Sequence, residues 1–260
     1  MNTSRKWLFI FFTAIGLTLA GCGGGGGTSA TTPAASTVSG TAATGAPLSG
    51  ATVTVIGANG VTVTTATLPE GTYSVSGTFT YPVLLKATQA APAITLYSAA
   101  TAAGTANITP LTNLALMLNA DLPSDLSTVE RTWVATYAAM VKQTNMRAAQ
   151  AIVNANFSAR MIAVELTPTV YDFLTTPFLA NGTGIDFVMD GLLFTFDNAA
   201  GTVGITLPGT TTIVPFNSAI NTTGITIGEL SAPTGVQAVA GNAQITISWS
   251  AVAGATSYNL

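Results

Sequence analysis

The feature that most restricts the fold is the stretch from Ala51 to Thr65, where valines alternate with threonines on both sides of an Asn-Gly step. Val53 and Val55 stand between threonines in ATVTV, and Val61 and Val63 do so in VTVTT. A period of two puts every second side chain on one face, so each run predicts a strand with one face buried and one wet. The intervening Ile56-Gly57-Ala58-Asn59-Gly60 predicts a tight hairpin, because an Asn-Gly step supplies the positive φ values such a turn needs. A third strand is expected after Pro69-Glu70-Gly71, with Tyr73 and Val75 on one face. A fourth is expected from Tyr81 to Ala87, with Pro82 at its start.

Around these strands the sequence VSGTAATGAPLSGATVTVIGANGVTVTTATLPEGTYSV resembles the carboxypeptidase-regulatory-like, transthyretin-related β-sandwich. The matching residues are Gly45, Pro47, Leu48, Gly50 and Ala51, then Glu70, Gly71 and Tyr73. The resemblance implies a non-catalytic spacer or binding module over 37–105. The spaced glycines need no other role than turn formation.

At the N-terminus, Arg5 and Lys6 precede an uncharged run from Trp7 to Ala20, which is shorter than the roughly 20 residues a spanning helix requires. This is the form of a secretion signal. It closes on Leu19-Ala20-Gly21-Cys22, which resembles the bacterial lipobox. That resemblance implies a signal peptide over 1–21, lipid on the Cys22 thiol, and cleavage that leaves Cys22 as the first residue. The expected partner is therefore a membrane, reached through acyl chains that hold a protein on a bilayer almost permanently. Gly23 stands where the family uses Asp for inner-membrane retention, so the expectation is the outer membrane, facing the periplasm or the cell surface. Residues 22–36, the lipidated Cys and the run of Gly, Ser, Thr, Ala and Pro after it, read as a flexible linker.

Charge excludes several functions. Only 7% of residues are charged, and removing Arg5 and Lys6 leaves five basic against ten acidic side chains. No basic surface remains for nucleic acid. The chain has one Cys and no His, which removes disulfides, the commonest transition-metal ligand and any Ser-His-Asp arrangement. A Ser-Lys dyad would need Lys86 or Lys142, neither of which has a suitable serine near it in sequence.

From Asn107 the period lengthens. Thr109-Pro110-Leu111 predicts an N-cap with proline in the first turn, and a helix to about Ala120 with Leu111, Leu114, Ala115 and Leu118 on one face. Ser127-Thr128-Val129-Glu130 has the form of a capping box, opening a helix to about Asn145 with Trp133, Tyr137, Met140 and Val141 as its stripe. A third helix is expected from Arg147 to Val164, with Ala151, Ile152, Ala155 and Ala159 inward and Phe157 and Met161 at its margins. Further on, a helical turn at Tyr171 to Leu174, a short helix from Asp186 to Leu193 and a hairpin of Phe194–Phe196 with Val203–Thr206 are expected. The segments Asn107 to Asn113 and GTGIDFVMDGLLFTFD resemble stretches of bacterial lipoproteins that also carry the β-sandwich, and that resemblance brings no activity with it.

The best candidate for chemistry is the set Asp186, Asp190 and Asp197. Four residues apart, Asp186 and Asp190 would share a helix face, and with Asp197, Asn198 and Asn181 they offer hard oxygens of the kind calcium takes. Two carboxylates could also hydrolyse a glycosidic bond. The competing reading makes Asp186 a first-turn residue and Asp197-Asn198 a turn. No calcium-loop spacing is present.

The segment 231–260 resembles the opening of a fibronectin type III domain: Pro233 before the first strand, Trp249 in the second, Tyr258 on the third. The expected fold class is thus multidomain and mainly β with an α-helical middle. It comprises an N-terminal β-sandwich (37–105), a helical segment with a small hairpin (106–230) and an incomplete fibronectin type III-like sandwich (231–260). The segregation of strands from helices argues for separate domains. The expected function is a non-catalytic surface lipoprotein binding carbohydrate, cell wall or protein, without a cofactor. Tyr73, Tyr81 and Tyr97 are the aromatics available for a sugar platform, though each suits core or edge packing better. The alternative is the tether of an exported enzyme whose catalytic domain lies beyond residue 260.

Overall fold

The computed structural model describes residues 34–197, 202–206, 213–216, 233–241 and 244–250. These residues are mainly β, in several sheets, with few and short helices. The first strand, β1 (Ser36–Thr41), pairs antiparallel with β4 (Thr72–Gly77) and parallel with the short β7 (Gly104–Thr105). A second sheet has the order β3-β2-β5-β6, formed by β2 (Thr52–Gly57), β3 (Thr62–Ala66), β5 (Val83–Gln89) and β6 (Ile94–Ala100). Val38, Tyr73 and Val75 from the first sheet meet Val53, Val55, Val83, Leu85 and Leu96 from the second in one buried core. Burial of these side chains supplies the main driving force at about 25 cal/mol per Å² of apolar surface.

The alternation at Val53 and Val55 is borne out, since both are buried and β2 pairs antiparallel with β3. The turn differs in detail. Gly60 has φ +80°, and Glu165 is the only non-glycine with positive φ among the described residues, so Asn59 is not left-handed. Gly60 N–H donates to Gly57 O at 3.0 Å and Gly57 N–H to Val61 O at 2.8 Å. This is the longer hairpin loop in which a glycine takes the left-handed position and the strands close with a bulge. Asn59 is free to fasten the loop instead, donating from Nδ2 to Thr78 O at 2.8 Å. The strand after Pro69-Glu70-Gly71 forms, but it joins the other sheet, where it pairs antiparallel with β1.

Helix α1 (Pro110–Met117) starts where the sequence places it. The Thr109 hydroxyl accepts from Thr112 N–H at 3.2 Å and the Thr112 hydroxyl accepts from Thr109 N–H at 2.8 Å, a reciprocal cap with proline at the first position. Thr109→Ala should therefore lower thermal or urea stability by about 1 kcal/mol. A melt that is unchanged within error would show that the box carries no weight here.

The second helix is a correction. Its N-cap is Asp125 and not Ser127, and α2 runs only over Leu126–Arg131. Asp125 Oδ1 accepts from Ser127 N–H at 3.0 Å and Thr128 N–H at 3.2 Å, and the two hydroxyls of those residues hold its carboxyl low, at about 2. Glu130 cannot close a box because it is drawn to the sheet, ion-paired with Lys86 and accepting from the Tyr97 hydroxyl at 2.8 Å. The chain then makes a π-helical turn (Trp133–Tyr137) that buries Trp133, leaves Met140 exposed and returns Val141 to the core.

Helix α3 (Gln143–Asn156) and the short α4 (Ser158–Ile162) replace the single third helix. The inward face is also corrected: Met146, Ala149, Gln150, Val153, Asn154, Phe157 and Met161 are buried, whereas Ala151 and Ala155 are exposed. Gln150 and Asn154 go inward because their amides donate to the Tyr171 carbonyl, each at 2.8 Å, and Asn154 also reaches Pro168 O at 2.7 Å. Residues 171–174 form turns and no helix, fixed by Asp172 Oδ1 accepting from Leu174 N–H at 3.0 Å.

Side chains from before and after residue 105 pack together. Leu84, Tyr97 and Ala99 of the second sheet share a single buried cluster with Leu111, Leu114, Trp133, Val153 and Phe157 of the helical part. The helices thus form a layer on the outer face of the sheet. After α5 (Ile185–Met189), β8 (Leu193–Asp197), β9 (Thr202–Thr206) and β10 (Ile213–Phe216) make a third sheet in the order β10-β9-β8, which contains the expected hairpin. Finally, β11 (Gln237–Gly241) and β12 (Gln244–Ser248) pair antiparallel with each other. No helix among the described residues is long and apolar enough to cross a membrane.

Candidate functional site

Cys22 and the preceding Leu19, Ala20 and Gly21 lie outside the described residues, as do Asn198 and Tyr258. The acidic set can be placed. Asp186 sits in the first turn of α5, as the cap reading expects, and is fully buried at 0% exposure. Its Oδ2 accepts from Gly182 N–H at 2.7 Å. Its Oδ1 is buried without a hydrogen-bond partner. Burial raises its pKa from the ordinary 3.8 to about 6, with neighbouring Asp190 adding to the shift and the Gly182 and Asn181 backbone opposing it.

Asp190 does not share a helix face with Asp186. The helix ends at Met189, and Asp190 leaves it with φ −57° and ψ 134°. Its carboxylate is turned toward the loop at Gly45, where an added Cβ would lie 2.8 Å from Asp190 Oδ1 and 3.1 Å from its Cα. With φ +97°, position 45 suits glycine alone, so the turn of the N-terminal strands is shaped to admit this aspartate. Burial raises the Asp190 carboxyl and the Arg160 guanidinium counters that rise.

Arg160 is the residue that sequence reasoning missed. Its Nε donates to Val188 O at 2.8 Å, and Nη2 donates to Phe187 O at 3.0 Å and Asp190 O at 2.7 Å, so it caps the C-terminal carbonyls of α5. Its Cζ lies 5.6 Å from the centre of the Phe187 ring. A single cation in the apolar stretch FSARMIAV was the only signal available.

Asp197 is at the exposed end of β8. The three aspartates do not assemble: among the described residues no group of three acidic, His or Cys side chains could hold a metal ion. The calcium set Asp186, Asp190 and Asp197 is therefore not supported by the geometry, which matches the cap reading of Asp186. Lys86, one of the two dyad candidates, is in β5 and committed to Glu130. Of the tyrosines considered for sugar stacking, Tyr73 and Tyr97 are buried, and Tyr81 is half-buried with its hydroxyl on Ser36 Oγ at 3.0 Å.

What the structure does offer is a groove of about 640 Å³, walled by β6 on one side and β8 on the other. Both are edge strands of their sheets. Ile94, Thr95, Leu193, Phe194 and Phe196 line it, and no charged side chain does. Phe194 stacks on both Phe157 and Phe196, with ring centres 6.2 Å apart in each pair. Such a lining suits an uncharged, partly apolar occupant and has none of the groups that acid–base or metal chemistry requires. Compared with known proteins, the chain matches no family model, no curated protein and no solved structure.

Proposed function

We propose that this chain is an exported bacterial lipoprotein, anchored by acyl chains on Cys22, that works by binding and not by catalysis. The observation that carries the reading is Leu19-Ala20-Gly21-Cys22, placed directly after a basic start and an uncharged run and directly before a glycine-rich linker. In this reading the two sheets that enclose Val38, Val53 and Val75 are the carboxypeptidase-regulatory-like sandwich, with the helices laid on one face of it. Residues 231–260 are the start of a fibronectin type III module, of which β11 and β12 would be the first strands. Gly23 favours the outer membrane, facing the periplasm or the surface. The uncharged groove between β6 and β8 supports a binding role for the displayed part.

The anchor is tested by fractionating cells of a diderm bacterium that express the chain with its own signal, beside Cys22→Ala. Wild-type protein should pellet with membranes and be extracted only by detergent, while the variant should lose that behaviour. Equal partition of the two would sink the reading.

A further inference from the structure

The sequence Ala-Asn-Gly occurs at Ala58-Asn59-Gly60 and again at Ala180-Asn181-Gly182. At an Asn-Gly step the backbone nitrogen of the glycine can attack the asparagine side-chain amide, because no Cβ hinders the close approach. Both asparagines are exposed, so access to solvent does not separate them. Their hydrogen bonds do.

Asn59 is held against this reaction. Its Nδ2, the nitrogen that would leave, is tied to Thr78 O at 2.8 Å, and its Oδ1 receives Val61 N–H at a long 3.4 Å. Gly60 N–H points to Gly57 O at 3.0 Å, a neutral carbonyl that takes up no proton at ordinary pH.

Asn181 has the reverse arrangement. Its Oδ1 accepts from Thr183 N–H at 3.2 Å and from the Thr183 hydroxyl at 2.7 Å. These bonds fold the side chain back over the Gly182 peptide and set two donors where negative charge would develop on the oxygen. No acceptor among the described residues holds its Nδ2. Gly182 N–H donates to Asp186 Oδ2 at 2.7 Å. Asp186 is fully buried, its Oδ1 has no hydrogen-bond partner, and no cationic side chain is paired with it among the described residues. A carboxylate so placed is a stronger proton acceptor than an exposed one.

We propose that Asn181-Gly182 is a site of self-modification, in which the Asp186 carboxylate takes the Gly182 N–H proton as that nitrogen closes on Asn181 Cγ. The new N–Cγ bond moves the carbonyl electron pair onto Oδ1, under the two Thr183 donors. When the pair returns, the Cγ–Nδ2 bond breaks and ammonia leaves with the proton that Asp186 had taken. The result is a cyclic succinimide. Water opens it at either carbonyl, leaving aspartate or isoaspartate at position 181. Both products add a carboxylate to the loop that already holds Asp186 and Asp190, and isoaspartate also lengthens the backbone just before Gly182. This inference concerns the chain's own chemistry and is independent of the lipid on Cys22.

The test is incubation of the folded full chain carrying Cys22→Ala near neutral pH, with digestion in acid and peptide mass mapping over time. The peptide holding Asn181 should lose ammonia and then gain water, with isoaspartate among the products, while the peptide holding Asn59 stays unchanged. In urea, where neither arrangement survives, the two Ala-Asn-Gly steps should react at the same rate. Asp186→Asn keeps an acceptor for Gly182 N–H but cannot take its proton, so it should slow the reaction at Asn181 in the folded chain by about a hundredfold. A circular dichroism melt no lower than the parent's would show that variant folded. Asn59 reacting as fast as Asn181 in the folded chain, a difference between the two that persists in urea, or an unchanged rate at Asn181 in Asp186→Asn would each overturn the proposal.

Discussion

Asn107→Ala should destabilise the fold by about 3–5 kcal/mol, the largest effect expected of any polar side chain among the described residues. Asn107 is fully buried, and its amide is the junction of three segments. Oδ1 accepts from Thr41 N–H at 3.2 Å, at the end of β1, and Nδ2 donates to Phe173 O at 3.0 Å and Thr176 O at 2.8 Å, in the turns that follow α4. Alanine would leave Thr41 N–H and Phe173 O buried, and Thr176 O part-buried, without this partner, and each fully buried group costs about 1–3 kcal/mol. The Asn107 backbone, whose N–H donates to Leu174 O at 2.9 Å, would remain in place, so the loss is that of the side chain. Urea unfolding of the two proteins side by side is the check. A difference below about 1 kcal/mol would mean that water reaches these groups and that the strands and helices are less tightly joined than the shared core implies.

Asp186→Asn should change the pH dependence of stability in a direction unusual for an acidic residue. In the folded chain this carboxyl titrates near 6, against an ordinary 3.8, because it is buried and close to Asp190. Between those values the folded state binds more protons than the unfolded chain. The stabilisation is therefore fully present below about 4 and is lost as pH rises through about 6. Two units correspond to about 3 kcal/mol. Asparagine keeps an acceptor for Gly182 N–H without a charge to bury. The variant should match the parent near pH 4 and exceed it by about 2–3 kcal/mol at pH 7.5. A difference between the two proteins that is flat with pH would show that Asp186 is not the group responsible.

Local pattern made part of this architecture legible and non-local contact hid the rest. Val53 and Val55 could be read because a strand's period is fixed by its own backbone, and Thr109-Pro110 because a cap is made within four residues. That β4 would leave β3 for β1 could not be read, since pairing between Val75 and Val38 depends on closing a long loop. The inward face of α3 was misassigned for a different reason. Hydropathy sends Gln150 and Asn154 to solvent and alanines inward, yet the carbonyls at Pro168 and Tyr171 need donors and draw the amides into the core. At the candidate site, Asp186 was legible as a first-turn residue. Asp190 was not, because the helix stops at Met189 where Arg160 collects its last carbonyls. The segment from Asn107 to Asn113 stood out in the sequence and proves to be structural: Asn107, Thr109, Thr112 and Asn113 are all buried and fasten β1, β6 and α1 together.

The lipid anchor is the claim from which the functional account is built, and the intact mass of the protein extracted from membranes tests it most directly. The account predicts a chain that begins at Cys22 and is heavier than residues 22–260 by the mass of its acyl groups. A chain that retains residues 1–21, or one that begins elsewhere with Cys22 unmodified, would contradict it.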